Sequence, residues 1–157
     1  MADGLTHLDD EGNVHMVDVG AKEPTERLAV AEATVSMAAA TRERLFGGDL
    51  PKGDALATVR IAAIQGAKRT PDLVPLAHPL PIESVTAAVE PIEDGARITV
   101  TATVTAKTGV EMEAITGAAI GAIALYDMIK GIDRGAEISS VRLLEKRGGR
   151  SGDWSRG

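Results

Sequence analysis

The sequence contains no cysteine, which excludes disulfide scaffolds and metal sites built on thiolates. Aromatic residues make up only 2% of its 157 residues, so the core must be built from aliphatic side chains, and side chains that could stack on nucleic-acid bases are scarce. The net charge is −6, whereas nucleic-acid binding needs a broad basic surface. We therefore expect no nucleic-acid partner, although a local basic cluster could still bind a small anion.

We also expect no targeting segment and no membrane-spanning segment. The first residues, MADGLTHLDDEG, are polar and acidic, unlike a signal peptide, and the uncharged stretch at 114–126 is too short to span a bilayer. We expect a cytoplasmic protein with no membrane partner. Its length and its 44% of hydrophobic residues predict one α+β domain at 21–147, after a mobile segment at 1–20 and before a flexible Gly/Arg-rich tail at 148–157.

Hydrophobic periodicity predicts the order β, α, α, β, β, α, β. The predicted elements are a strand over 23–37, a helix from a Ser36 cap to Phe46, a helix over 54–69 capped by Asp54, strands over 84–90 and 96–107 joined by a hairpin at Asp94-Gly95, a helix over 111–132 and a strand over 136–146. The stretch 71–81 contains four prolines and is predicted to be irregular. This order resembles the ferredoxin-like plan, an antiparallel sheet with helices packed on one face.

The last predicted helix, within GVEMEAITGAAIGAIALYDMIKG (109–131), carries charges only at its ends. Asp127 and Lys130 share a face because they are three residues apart. Helix rise places Glu111 about 24 Å from Asp127, so the two ends serve unrelated sites or meet across a subunit interface. Alternatively, the terminal charges only complement the helix dipole, although a carboxylate at position 127 opposes it.

Two further stretches carry polar groups that could bind an anion. In LVPLAHPLP, Pro79 keeps His78 extended, where it could act in acid–base chemistry or simply cap the backbone. In EKRGGRSG, Lys146, Arg147 and Arg150 surround a glycine pair whose amides can approach an anion, although each could also be a solvated surface charge. No metal-ligand spacing is present, since His7 and His15 lie apart in a segment expected to be soft.

Four long stretches together resemble the molybdenum cofactor biosynthesis protein C (MoaC) family, the cyclic pyranopterin monophosphate synthases. They are HMVDVGAKEPTERLAVA, KGDALATVRIAAIQGAKRTPDLVPLAHPLP, TAKTGVEMEAITGAAIGAIALYDMIK and VRLLEKRGGRSGD. The resemblance implies conversion of 3′,8-cyclo-7,8-dihydro-GTP to cyclic pyranopterin monophosphate with release of diphosphate. It also implies a homohexamer, a trimer of dimers with active sites at subunit interfaces.

Carried over position by position, the resemblance implies that Asp127 and Lys130 are the catalytic pair. The implied substrate-binding residues are Leu76, Ala77, His78, Glu111, Met112, Glu113, Arg27, Lys52, Lys68 and Lys146. Two positions depart from the family pattern, because Ala77 replaces a common Cys and Arg150 replaces a common Lys. No resident cofactor is implied, and Mg²⁺ could enter only with the triphosphate of the substrate.

Two other classes of function are compatible with the residues themselves. A non-catalytic, oligomeric nucleotide-binding regulator would use the same loops but would release its ligand unchanged. A structural assembly subunit would explain the Ala/Gly-rich helix but not the Lys, His and Glu residues at the ends of the elements.

Overall fold

The chain forms a five-stranded antiparallel sheet with helices, as seen in a computed structural model that describes residues 7–9 and 11–157. The elements are β1 (Thr25–Ser36), α1 (Ala39–Gly47), α2 (Ala55–Lys68), α3 (Thr70–Leu73), β2 (Ser84–Ile92), β3 (Gly95–Ala106), α4 (Glu111–Ile129), β4 (Glu137–Arg147) and β5 (Trp154–Ser155). The strand order in the sheet is β2-β3-β1-β4-β5. The α+β class predicted from the sequence is therefore confirmed.

The sheet buries one face, as the alternation in β1 and β3 predicts. In β1, Ala29, Ala31, Ala33 and Val35 are completely buried, and their partners on β3 are Ala102, Val100, Ile98 and Ala96. The threonines at alternate positions of β3 lie on the opposite, partly exposed face. The alternation of apolar and polar residues in β1 and β3 thus matches the face that each strand buries.

Helices α2 and α4 pack against each other and against the buried face of the sheet. Small residues allow a close approach: a Cβ atom added at Gly117 would lie 2.9 Å from the carbonyl oxygen of Ala63. One added at Gly121 would lie 3.2 Å from the Ala63 Cβ atom. By length and composition alone α4 could cross a membrane, but 56% of that stretch is buried against this core, which is typical of a central helix.

Three local predictions need correction. Helix α1 begins at Ala39 rather than after a Ser36 cap, because Ser36 pairs with Gly95 and Glu137 as the last residue of β1. Its first turn is instead bound by Asp133, whose Oδ2 accepts hydrogen bonds from the Ala38 amide at 2.9 Å and from Thr41 Oγ1 at 3.0 Å. The cap is therefore supplied by a loop that is distant in the sequence.

The second correction concerns the proline-rich stretch, in which residues 70–73 form the short helix α3. Pro71 occupies its first turn, where the missing amide hydrogen is not needed for an internal bond. The third concerns the C-terminal stretch, where Trp154 and Ser155 form β5 beside Lys146 and Glu145 of β4. The sequence did not predict either element.

Candidate active site

Three charged side chains meet at the C-terminal end of α4. Lys130 Nζ lies 2.8 Å from Asp127 Oδ1, one helical turn away. Lys52, from the turn between α1 and α2, places its Nζ 2.8 Å from Asp127 Oδ2 and also donates to the Asp127 main-chain oxygen at 2.7 Å. The resemblance implied a substrate-binding role for Lys52, and in the structure Lys52 is the second partner of the Asp127 carboxylate.

The two lysines set the ionisation of this cluster. Hydrogen bonds from Lys130 and then Lys52 lower the pKa of Asp127 to about 2. The same carboxylate raises the pKa of Lys130 above its usual value. About half of the Asp127 side chain is exposed to solvent, so a ligand can reach the cluster. At neutral pH it presents an ionised carboxylate and a protonated Lys130 ammonium.

A separate cleft of about 420 Å³ opens at the N-terminal end of α4. It is lined by Leu76, Ala77 and His78 of the proline-rich loop, by Glu111, Met112 and Glu113 of α4, by Thr108 and Gly109, by Leu80, and by His7, Val17, Val19 and Lys22 of the N-terminal segment. The structure therefore brings together six of the substrate-binding residues that the resemblance implies.

Glu113 is the most enclosed carboxyl group in this cleft, with only 2% of the residue exposed. Burial raises the pKa of Glu113, because the charged form loses its hydration. Glu111 lies at the rim, where its Oε1 is 3.9 Å from Lys146 Nζ. The cleft thus contains one desolvated acid, Glu113, and one partly exposed acid, Glu111, that faces Lys146.

His78 has its orientation fixed by the N-terminal segment. Its Nε2 atom lies 2.8 Å from the carbonyl oxygen of Val17. Because a carbonyl can only accept, Nε2 carries the proton, and Nδ1 is left as an acceptor in the neutral ring or as a second donor in the protonated ring. His78 can therefore donate to a ligand through Nδ1 only when it is protonated.

Basic residues border this end of the molecule on the other side. Arg27 lies between a cleft of about 680 Å³, which Lys22 and Arg150 also line, and a smaller one of about 130 Å³, which Lys146 lines. Gly149 has φ +85°, and a Cβ atom there would collide with the guanidinium of Arg27. The glycine pair predicted as an anion loop therefore makes room for Arg27.

The predicted site residues fall into two groups at the two ends of one continuous helix. The group at the C-terminal end contains Asp127, Lys130 and Lys52, and the helix rise places it about 24 Å from Glu111. Lys68 belongs to neither group. It lines a cleft of about 300 Å³ that shares Leu80 with the cleft of about 420 Å³.

Sequence reasoning missed the contribution of the N-terminal segment, where His7, Val17, Val19 and Lys22 all line the cleft at the N-terminal end of α4. The signal available was the alternation of Val17 and Val19 with the polar Asp18. No group of three or more His, Cys, Asp or Glu side chains arranged to hold a metal ion is found within residues 7–9 and 11–157.

Comparisons with known proteins identify the family of this chain. A family model described as the MoaC family matches residues 16–149. A cyclic pyranopterin monophosphate synthase of Corynebacterium efficiens is 51% identical over 151 residues, which cover 96% of this chain and 97% of that protein. Proteins of the same name from Rhodospirillum rubrum (49% identical, covering 98% of this chain and 94% of the relative) and Streptomyces coelicolor (50% identical, 98% and 91%) are similar. The chain belongs to the MoaC family.

Proposed function

We propose that this protein is a cyclic pyranopterin monophosphate synthase of molybdenum cofactor biosynthesis. The observation that carries the proposal is the identity of about one half, over nearly the whole chain, to relatives that bear this name. The substrate would be 3′,8-cyclo-7,8-dihydro-GTP. Diphosphate would leave as a new phosphorus–oxygen bond closes the cyclic phosphate, which makes the enzyme a phosphorus–oxygen lyase.

The charged cluster at the end of α4 suits the catalytic role proposed for Asp127 and Lys130. Opening and reclosing the purine-derived rings moves protons, and expelling diphosphate places negative charge on oxygen atoms. Lys130 and Lys52 would donate to those oxygens, and Asp127 holds both ammonium groups in place. Because its pKa is about 2, Asp127 becomes an effective proton acceptor only when substrate draws a lysine away from it.

The cleft at the other end of α4 suits recognition of the substrate. A carboxylate can accept two hydrogen bonds from the amidine edge of a guanine-type base, so Glu113 is the proposed base contact and Glu111 its neighbour. Leu76, Ala77, His78 and Met112 would pack around the base and ribose. Arg27, Lys146 and Lys68 would stabilise the phosphate groups.

A composite site between subunits reconciles the two groups. A straight helix holds them about 24 Å apart, beyond the reach of one nucleotide bound by a single chain. We therefore propose a homohexamer, a trimer of dimers in which the start of α4 in one subunit faces the end of α4 in another. The strand order β2-β3-β1-β4 supports the ferredoxin-like class for each subunit. We propose a cytoplasmic enzyme without a resident cofactor or metal, acting on a small nucleotide rather than on nucleic acid or a membrane.

Turnover of the purified protein tests the activity. Diphosphate release and pterin fluorescence after oxidation would be followed with 3′,8-cyclo-7,8-dihydro-GTP as substrate. We expect products from the wild type and a loss of at least about a hundredfold in Asp127→Asn and in Lys130→Ala. Asp49→Asn, which removes an exposed carboxylate whose ion-pair partner is Arg44, is the control and should retain activity. Wild-type binding without products would instead support a non-catalytic regulatory module.

Mixed oligomers test the composite site. Glu113→Ala and Asp127→Asn damage opposite ends of α4, so each variant alone should be inactive. When equal amounts of the two variants are dissociated and reassembled at random, about a quarter of the two-chain sites should combine an intact Glu113 with an intact Asp127. No recovery of turnover in mixed oligomers, when their mixing is verified by mass, would contradict a site shared between chains.

A further inference from the structure

Hydrogen bonds hold the N-terminal segment where it meets the cleft of about 420 Å³. Its carbonyl groups accept hydrogen bonds from two side chains: Val17 from His78 at 2.8 Å, and Gly20 from Lys107 at 2.6 Å. Terminal segments are usually poorly ordered unless they are held by such contacts. One of the two anchors is itself a residue of the proposed substrate site.

Before these anchors the chain folds into a small hairpin, formed by residues 7–9 and 11–15. Leu8 and Val14 are paired as antiparallel partners, and the amide of His15 donates to the carbonyl of His7 at 2.9 Å. The turn is closed by Asp9, whose Oδ1 accepts from the amides of Glu11 and Asn13 at 2.9 Å and 2.8 Å. This structure places His7 at a defined position.

The two opposed histidines of the hairpin differ in their surroundings. His7 lines the cleft of about 420 Å³ together with His78, Lys22 and Glu113, whereas His15 does not line it. Both are exposed. Of these two histidines, only His7 is therefore placed to contact a molecule bound in the cleft.

We propose that His7 is a further substrate-contacting residue, which donates a hydrogen bond from its imidazole to an oxygen atom of the bound nucleotide. The inference rests on the proposed function for the identity of the substrate, but it concerns a residue outside the positions implied by the resemblance. The hairpin would thus form the outer wall of the nucleotide site. Val17 and Val19, which follow the hairpin, would cover the ligand, and His7 would bind it.

The chain has three histidines, so their imidazole signals can be followed individually by NMR. The signals of His7, His15 and His78 would be assigned with single substitutions, and GTP would be titrated into the full-length protein. We expect the His7 and His78 signals to move together while the His15 signal stays. A His7 signal that does not move, or one that moves no more than that of His15, overturns the inference. This measurement needs no turnover, so its failure is distinct from failure of the proposed activity.

Kinetics of matched variants give a second test. Losing one hydrogen bond to the bound substrate should raise KM about three- to tenfold in His7→Ala, with kcat changed less than about twofold. His7→Gln keeps an N–H donor and should recover part of the affinity, and His15→Ala should behave as the wild type. Equal KM values for His7→Ala and His15→Ala would overturn the proposal. A fall in kcat alone would also contradict a role in ground-state binding.

Discussion

The ionisation of Asp127 should depend on both lysines that contact it. Lys130 binds one carboxylate oxygen and Lys52 the other, each at 2.8 Å, and together they lower the pKa from the ordinary 3.8 to about 2. Replacing a lysine with methionine keeps most of the side-chain volume and removes the charge. Each replacement should therefore raise the pKa of Asp127, and the double replacement should return it close to 3.8.

The two lysines contribute unequally to the lowering of the pKa of Asp127. The total lowering is about 1.8 (3.8 minus about 2), and the hydrogen bond from Lys130 is the largest single contribution, with that from Lys52 second. Lys130→Met should thus raise the pKa by more than Lys52→Met. The ion pairs favour the folded state fully above pH 3.8, and this contribution is lost as the pH falls through about 2.

Carboxyl NMR titration measures this pKa directly. The Asp127 signal would be identified as the one missing from the Asp127→Asn spectrum, then titrated from neutral pH to the lowest pH at which the protein stays folded. Lys68→Met is the control, because Lys68 lies in a different cleft and should leave the curve unchanged. A pKa that rises in only one of the two single variants, or a double variant still near 2, would refute the two-lysine arrangement.

Three further predictions concern stability, measured by urea unfolding. Glu113→Gln should raise the urea midpoint of unfolding at pH 7, and should raise it less at pH 4. Burial raises the pKa of Glu113, so its charge destabilises the folded state only above the ordinary pKa of 4.5. An equal gain at both pH values would contradict this. Gly117→Ala should destabilise the protein by about 1–2 kcal/mol, because the new methyl group would press against the Ala63 carbonyl by more than the gain in helix propensity offsets. Gly121→Ala should destabilise it less, because its nearest contacts are longer. The reverse order would contradict the packing argument. Asp133→Ala should cost about 1–2 kcal/mol through the lost cap of α1, and a variant as stable as the wild type would exclude that role.

Local patterns predicted the elements whose own residues determine them. The alternation from Ala29 to Val35 and the threonine ladder of β3 are statements about one strand with one buried face, so the sequence contains them in full. The N-cap of α2 is equally local, with Asp54 Oδ1 accepting from the Ala57 amide at 2.9 Å. Such features need no knowledge of distant contacts.

Features that depend on distant partners were missed. The cap of α1 comes from Asp133, far along the chain, and a local search therefore assigned it to Ser36. Glu32 stands on the outer face of β1, where the alternation predicts exposure, yet only 3% of it is exposed because Arg97 and Arg142 enclose it. In both cases a tertiary contact, invisible in the local sequence, decides the role of the residue.

The same distinction explains why the family resemblance could list candidate site residues but local sequence patterns could not assemble them. The spacing on α4 placed Asp127 beside Lys130, because three residues make nearly one turn, but nothing local joined Lys52 to that pair. The helix itself is fixed between the sheet and α2 by glycine contacts too close for larger side chains, so its two charged ends keep a constant separation. Because α4 holds its two charged ends about 24 Å apart, one chain cannot bring both ends to a single nucleotide. Two chains whose α4 helices run in opposite directions can bring the start of one helix beside the end of the other. The packing of small residues in the core of α4 is therefore the physical reason for which we propose a site between subunits.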